Sequence, residues 1–205
     1  MTASKKSIAA IAVILLILLI DQVIKIWVKT NFVIGHEVPV ISNFFSISFI
    51  ENEGMAMGIK VFAKLFLTIF RIVASIAIAY YIYLLIRNEF KLSYIILVSM
   101  IFAGAVGNII DSVFYGVIFS ESTFMNVATL FPPEGGYGSW LHGKVVDMFQ
   151  FTSTWSPGIP WIGGEKIFPY IFNFADASIS VGIVVLLLFF RKTLSLSFEK
   201  QEVES

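Results

Sequence analysis

Apolar residues gather along this chain into four long runs, at about residues 8–28, 64–86, 92–115 and 174–190, separated by stretches in which polar and aromatic positions mix. A helix needs about 20 mainly apolar residues to cross a bilayer, so each run predicts one spanning helix. The first run opens like a signal peptide, with Lys5 and Lys6 ahead of the apolar residues, but no small-x-small cleavage site follows. Apolar character resumes past Asp21 through Ile24, Ile26 and Trp27, and the run reads as a retained helix. Lys5 and Lys6, Arg87 and Lys91, and Arg191 and Lys192 flank the span ends that would share one side. By the positive-inside rule that side is cytoplasmic, which places both termini inside.

The two longer connections, about 29–63 and 116–171, then face outward. In the first, Ile41, Phe45, Ile47 and Phe49 alternate with polar positions, and Gly54 and Gly58 break the pattern, which predicts strands and a small outer sheet. The second holds FPPEGGYGSWLHG and TWSPGIPWIGG, a composition poor for regular structure and suited to the headgroup level, where Trp and Tyr are favoured. Residues 193–205 form a polar cytoplasmic tail expected to fray.

Composition supports the pattern. The 205 residues are 58% hydrophobic, 16% aromatic and 14% charged, with mean hydropathy +0.87, values of a polytopic α-helical membrane protein rather than a soluble one. One membrane-embedded domain over 1–205 is expected, with no room for a separate soluble catalytic domain. Net charge is zero, so nothing points to nucleic acid. Cysteine is absent, and His36 and His142 are the two histidines, which excludes disulfides and leaves no basis for a metal or other cofactor.

What changes this picture is where the polar residues fall. An ionised Asp within a span costs roughly 2.5–3.5 kcal/mol on the lenient insertion scale, so intramembrane carboxylates are functional candidates. Asp21 and Lys25 are four apart, with Gln22 beside them, and read as an i,i+4 pair at a helix end surfacing into water. Glu51-Asn52-Glu53-Gly54 closes the strand-like segment and reads equally well as a solvated turn. Gly104, Asn108 and Asp111 fall on one stripe of the third span, where small residues let another backbone approach. Asn108 and Asp111 read there as helix–helix scaffold.

Asp147 interrupts the apolar GKVVDMFQF, and Asn173 and Asp176 share a face at the start of the fourth run. Asp147 and Asp176 come from segments that both approach the outer interface and make a natural pair. A helix N-terminus also favours a carboxylate for purely structural reasons, which is the competing reading of Asp176. Two carboxyls within hydrogen-bond reach share one proton, giving an acid and a base side by side. Such a pair can activate water against a peptide carbonyl with no covalent intermediate. Other hydrolytic routes lack parts: there is no Cys nucleophile and no GxSxG serine, and a Ser-His-Asp arrangement would require His142 or His36 without supporting context, which leaves a Ser-Lys dyad with Lys144 or Lys25 as a minor alternative. A small proton-coupled transporter relaying through Asp21, Asp111 and Asp176 is the alternative. It would want carboxylates spread through the membrane depth and internal repeats, whereas these cluster at one interface and no repeat is visible.

Five motifs, DQVIK (21–25), ENEGMAMG (51–58), AVGNIID (105–111), KVVDMF (144–149) and FNFADASISVG (172–182), stand in the order found in lipoprotein signal peptidase, which the sequence resembles across nearly its whole length. The resemblance implies an aspartyl endopeptidase of the bacterial cytoplasmic membrane, cutting signal peptides from diacylglyceryl-modified prolipoproteins just before the lipidated Cys. It implies Asp147 and Asp176 as the catalytic dyad, and Asp21, Asn52, Asn108, Asp111 and Asn173 as substrate-binding or site-supporting residues. The implied fold has four transmembrane helices and a small periplasmic β-cradle, the site facing outward; the expected partners are lipidated prolipoproteins and membrane lipids, and the expected state a monomer. Ser112 stands where the family usually has Arg, which makes Arg71 or Lys144 the expected substitute partner for Asp111. The segment between Asp111 and Asp147 is much longer than usual, and a lid, a partner surface and a mere elaboration are all open to it.

Overall fold

The computed structural model describes residues 1–53 and 60–204. Gly54 and Gly58, expected to break the strand pattern, lie outside the described residues. In chain order the elements are α1 (Ala3–Asn31), β1 (Glu37–Ile41), β2 (Phe45–Asn52), α2 (Lys60–Arg87), α3 (Leu92–Ile110), a π-helical turn (Asp111–Tyr115), α4 (Gly116–Ile118), β3 (Val145–Phe151), β4 (Ile171–Phe172), α5 (Phe174–Phe189) and α6 (Arg191–Glu204). Among the described residues three helices are long and apolar enough to cross a membrane: Ala3–Asn31, Lys64–Arg87 and Leu92–Ile118. A fourth span exists if Phe174–Phe189 and Arg191–Ser197, bent by 92°, are taken as one. The tail expected to fray is therefore helical through Glu204, with Ser195 Oγ donating to the Glu199 carboxylate one turn on at 3.3 Å.

Backbone contacts divide the chain into two compact units. One comprises Met1–Ile20, Ile69–Ile109 and Phe174–Ser205 and is helical. Its core is built from Ala10, Ile82, Leu85, Tyr94, Ile95, Val98 and Leu186, while Ile8, Leu15, Leu19, Val73 and Leu188 remain exposed. That surface suits a solvent of lipid tails, which leaves packing rather than water exclusion to hold the helices together. The close approach read from the small residues of the third run is present. A Cβ on Gly104 would overlap the Ala175 carbonyl and come within 2.7 Å of the Ile179 side chain, so α3 and α5 touch backbone to backbone. Lys6 Nζ donates to the Phe90 carbonyl at 2.8 Å, tying the start of α1 to the α2–α3 connection.

The other unit, Asp21–Thr68 with Ile110–Asn173, carries an antiparallel sheet in the order β1-β2-β3-β4. Its core joins Val28 and Phe32 of α1 to Phe49, Tyr115, Phe119, Ala128, Val146 and Met148. The alternation along β2 holds only in part. Phe49 is fully buried, but Ser46 and Ser48 are buried where Phe45 and Ile47 were expected, and Ile41 is 54% exposed. The ladder is irregular between Ile47 and Ile50, which shifts the phase. Phe45 stacks instead among Phe149 and Phe151, at centroid separations of 5.7 and 5.8 Å.

The connection over about 116–171 is also more regular than its composition predicts. It supplies β3 and β4, and residues 116–143 are knit by backbone bonds from Phe131 N–H to Ile118 O (2.7 Å), Tyr137 N–H to Phe119 O (2.9 Å) and Gly143 N–H to Ser112 O (2.8 Å). A Cβ on Gly136 would lie 2.6 Å from Val117 Cα, so this glycine permits the fold-back.

Candidate active site

Asp147 sits on β3, 1% exposed, within the sheet-bearing unit. Its two carboxylate oxygens each receive a carboxamide: Asn52 Nδ2 donates to Oδ2 at 3.1 Å and Asn173 Nδ2 to Oδ1 at 2.6 Å. The first bond follows from register. Asn52 pairs with Val145 and Ile50 with Asp147, so Asn52 and Asp147 are diagonal neighbours on one face of the β2–β3 ladder. Asn173 is buried and directly follows β4, which pairs with β3 through Phe149–Phe172.

Asp176 lies in the first turn of α5 in the helical unit and accepts a hydrogen bond from Asn108 Nδ2 at 2.8 Å. The α3–α5 approach permitted by Gly104 brings this pair together. A carboxylate in the first turn also gains from the helix dipole. Asn108, read from its stripe as scaffold and given by the resemblance as site-supporting, holds a candidate catalytic carboxylate directly. Carboxamides orient a carboxylate without adding a positive charge that would weaken it as a base.

Asp21 and Asp111 are different. Both are fully buried and share one cation, Lys25 Nζ, at 3.0 and 2.9 Å. Gln22 Nε2 donates to both carboxylates at 3.0 Å, and the Tyr115 hydroxyl donates to Gln22 Oε1 at 3.1 Å. Two expectations are corrected here. Asp21 and Lys25 are no solvated surface pair, since neither side chain is exposed. The cation serving Asp111 is Lys25, not the expected Lys144, which pairs with Glu51 at 3.4 Å. This cluster reaches β3 through the Val146 N–H, which donates to Asp111 Oδ2 at 3.2 Å.

Residues that the sequence pattern did not single out complete a second ion cluster. Lys29 pairs with Glu51 and donates to Ser122 Oγ at 2.9 Å, and Ser122 Oγ donates to Glu51 Oε1 at 2.8 Å. Lys29 Nζ lies 5.3 Å from the Phe119 ring centroid and 5.0 Å from that of Tyr137. A signal was there: 21, 25 and 29 recur at helical spacing and form one polar stripe on α1. Burial raises the Tyr137 phenol above its usual pKa, partly offset by the hydrogen bond from the Lys144 N–H at 2.6 Å. Among the described residues no group of three or more His, Asp or Glu could hold a metal ion.

Two solved bacterial membrane enzymes, determined by the in meso method at 1.9 and 2.3 Å resolution, are similar to this chain. The first aligns with TM-score 0.62 and 26% identity over 90% of this chain and 93% of its own. The second gives 0.60 and 27% over 90% and 89%. The family model for signal peptidase (SPase) II matches residues 13–192, and the chain belongs to that family. It is accordingly a multi-pass membrane peptidase. It is 49% identical to the lipoprotein signal peptidase of Porphyromonas gingivalis, over 90% of this chain and 84% of that one. The lipoprotein signal peptidase of Amoebophilus asiaticus is 34% identical over 92% and 80%.

Proposed function

We propose that this chain removes signal peptides from diacylglyceryl-modified prolipoproteins as an aspartic endopeptidase, cutting just before the lipidated Cys, with Asp147 and Asp176 as the dyad. The observation that carries the reading is the shared setting of these two carboxylates, each gripped by carboxamides from Asn52 and Asn173 or from Asn108. Asp21 and Asp111, by contrast, are both bound to Lys25, which suits support rather than proton transfer and counts against their use in a transport relay. Chain connectivity also favours the pairing, because Asn173, which holds Asp147, is three residues from Asp176.

In this mechanism one Asp is ionised and the other protonated. The carboxylate takes a proton from water as its oxygen attacks the carbonyl carbon before the Cys, and the protonated partner donates to the carbonyl oxygen. Collapse of the tetrahedral species breaks the C–N bond: the proton first taken from water passes to the leaving α-amine of the Cys, and the partner Asp recovers its proton from one of the two hydroxyls on the attacked carbon. The products are a free carboxyl on the signal peptide and a free amine on the lipoprotein. The site faces the outer side of a bacterial cytoplasmic membrane, with four spans and both termini inside. This location fits a substrate whose acyl chains leave the bilayer at about 0.8 kcal/mol per CH₂.

Asp147→Asn and Asp176→Asn are each expected to abolish processing of a lipidated prolipoprotein while the variants still accumulate in the membrane. Near-normal turnover by either one refutes the dyad.

A further inference from the structure

Among the polar contacts that dock the long segment ahead of β3, one group lies behind the Asn52–Asp147 hydrogen bond. Side chains alternate across the β2–β3 ladder, so Asn52 and Asp147 project to one face while Glu51 and its partner Val146 project to the other. On that rear face the Glu51 carboxylate is held by Lys29, by Ser122 Oγ at 2.8 Å and by Lys144 Nζ at 3.4 Å. The Tyr137 hydroxyl accepts the Lys144 N–H at 2.6 Å, and Lys144 Nζ lies 5.3 Å from the Tyr137 ring centroid. Ser122 and Tyr137 both belong to the segment between α4 and β3; Ser122 contacts Glu51, the β2 residue next to Asn52, and Tyr137 contacts Lys144, which directly precedes β3 and stands three before Asp147.

We propose that Ser122 and Tyr137 are positioning residues. They complete the Lys29–Glu51–Lys144 cluster from the segment side, and so fix the end of β2 against the start of β3 with Asn52 aimed at Asp147. The inference rests on the reading of Asp147 as a catalytic carboxylate. The physical reason is leverage. Asn52 closes β2, where a strand end would otherwise fray, and its amide reaches Asp147 Oδ2 at 3.1 Å only while the last ladder pairs hold. Anchoring the adjacent Glu51 at three points on the rear face supplies that restraint. Site support through Ser122 and Tyr137 thereby joins the roles open to this unusually long segment, a lid, a partner surface and an elaboration.

The test uses the full chain reconstituted in phospholipid vesicles with a diacylglyceryl-modified prolipoprotein peptide as probe. It compares wild type, Ser122→Ala, Ser122→Thr, Tyr137→Phe and Asp147→Asn. The expected result is a fall in kcat of about tenfold for Ser122→Ala and Tyr137→Phe, the scale of one hydrogen bond to a charged network. KM stays within about twofold, and Ser122→Thr, which keeps the hydroxyl, recovers most of kcat. Hydrogen exchange supplies a readout independent of activity: amides at Glu51 and Asn52 exchange faster in Ser122→Ala, while those of α3 are unchanged. Wild-type kcat in both variants, a change in KM alone, or unaltered exchange at Glu51 and Asn52 overturns the positioning role. If Asp147→Asn turns over normally, the catalytic reading falls and the inference with it; if Asp147→Asn is dead and Ser122→Ala normal, only the inference falls.

Discussion

Replacing Lys25 by Met tests the buried charge cluster most sharply. Lys25, Asp21 and Asp111 are all fully removed from solvent, and Lys25 Nζ lies 3.0 and 2.9 Å from the two carboxylates. Methionine fills nearly the same volume but leaves two carboxylates facing one another, with Gln22 Nε2 still donating to both. Removing one partner of a buried ion pair costs about 3–5 kcal/mol, because a charge is left without compensation. Against a total stability of about 5–15 kcal/mol this is a large fraction. At about 2–4 °C per kcal/mol for a chain of this size, the expected loss in Tm is about 6–20 °C, measured by thermal unfolding of the purified protein. Adding Asp111→Asn removes one of the stranded charges, so the double variant should unfold above Lys25→Met alone despite carrying one more substitution. A Lys25→Met loss below about 1 kcal/mol, the range of an exposed pair, refutes the claim that this triad is a desolvated structural unit.

Other outcomes follow from the same geometry. Asn173→Ala strips Asp147 Oδ1 of its 2.6 Å donor and should lower kcat about 10–100-fold at little cost in KM, read by steady-state processing of a lipidated peptide. Gly104→Val places a side chain on the Ala175 backbone, so it should separate α3 from α5, weaken Asn108–Asp176 and reduce both thermal stability and turnover. For Tyr137, whose phenol is raised by burial, the neutral form is the one the fold favours. The folded state then holds the proton above about pH 10, where the unfolded chain loses it, and stability falls as pH climbs past that point. Tyr137→Phe should flatten that alkaline slope in unfolding measurements taken from pH 9 upward.

Three of the four expected spans were legible because a bilayer imposes length and apolarity directly on sequence, and a close backbone approach to α3 was legible in Gly104, though its partner was not. The motifs also brought out the carboxamides at Asn52, Asn108 and Asn173 that hold the two candidate carboxylates. What escaped were arrangements set by long-range partners. Asp21 with Lys25 has the spacing of an ordinary surface pair, and only the packing of Tyr115 and Asp111 against it shows that it is buried. β3 hid in a connection dominated by Gly, Pro and aromatics, since pairing with β2, not its own periodicity, makes it a strand. Ser122 and Tyr137 carry no local signal at all; their contacts arise from a fold-back of the segment that meets Lys29 and Lys144.

The central claim, that Asp147 and Asp176 act together on one water, is tested most directly by a crystal structure with a bound peptide mimic carrying a hydroxyl in place of the attacked carbonyl. The account predicts a carboxyl oxygen of each Asp within about 2.6–3.2 Å of that hydroxyl. A mimic bound in the site with either carboxyl beyond about 6 Å, outside even a one-water bridge, contradicts it.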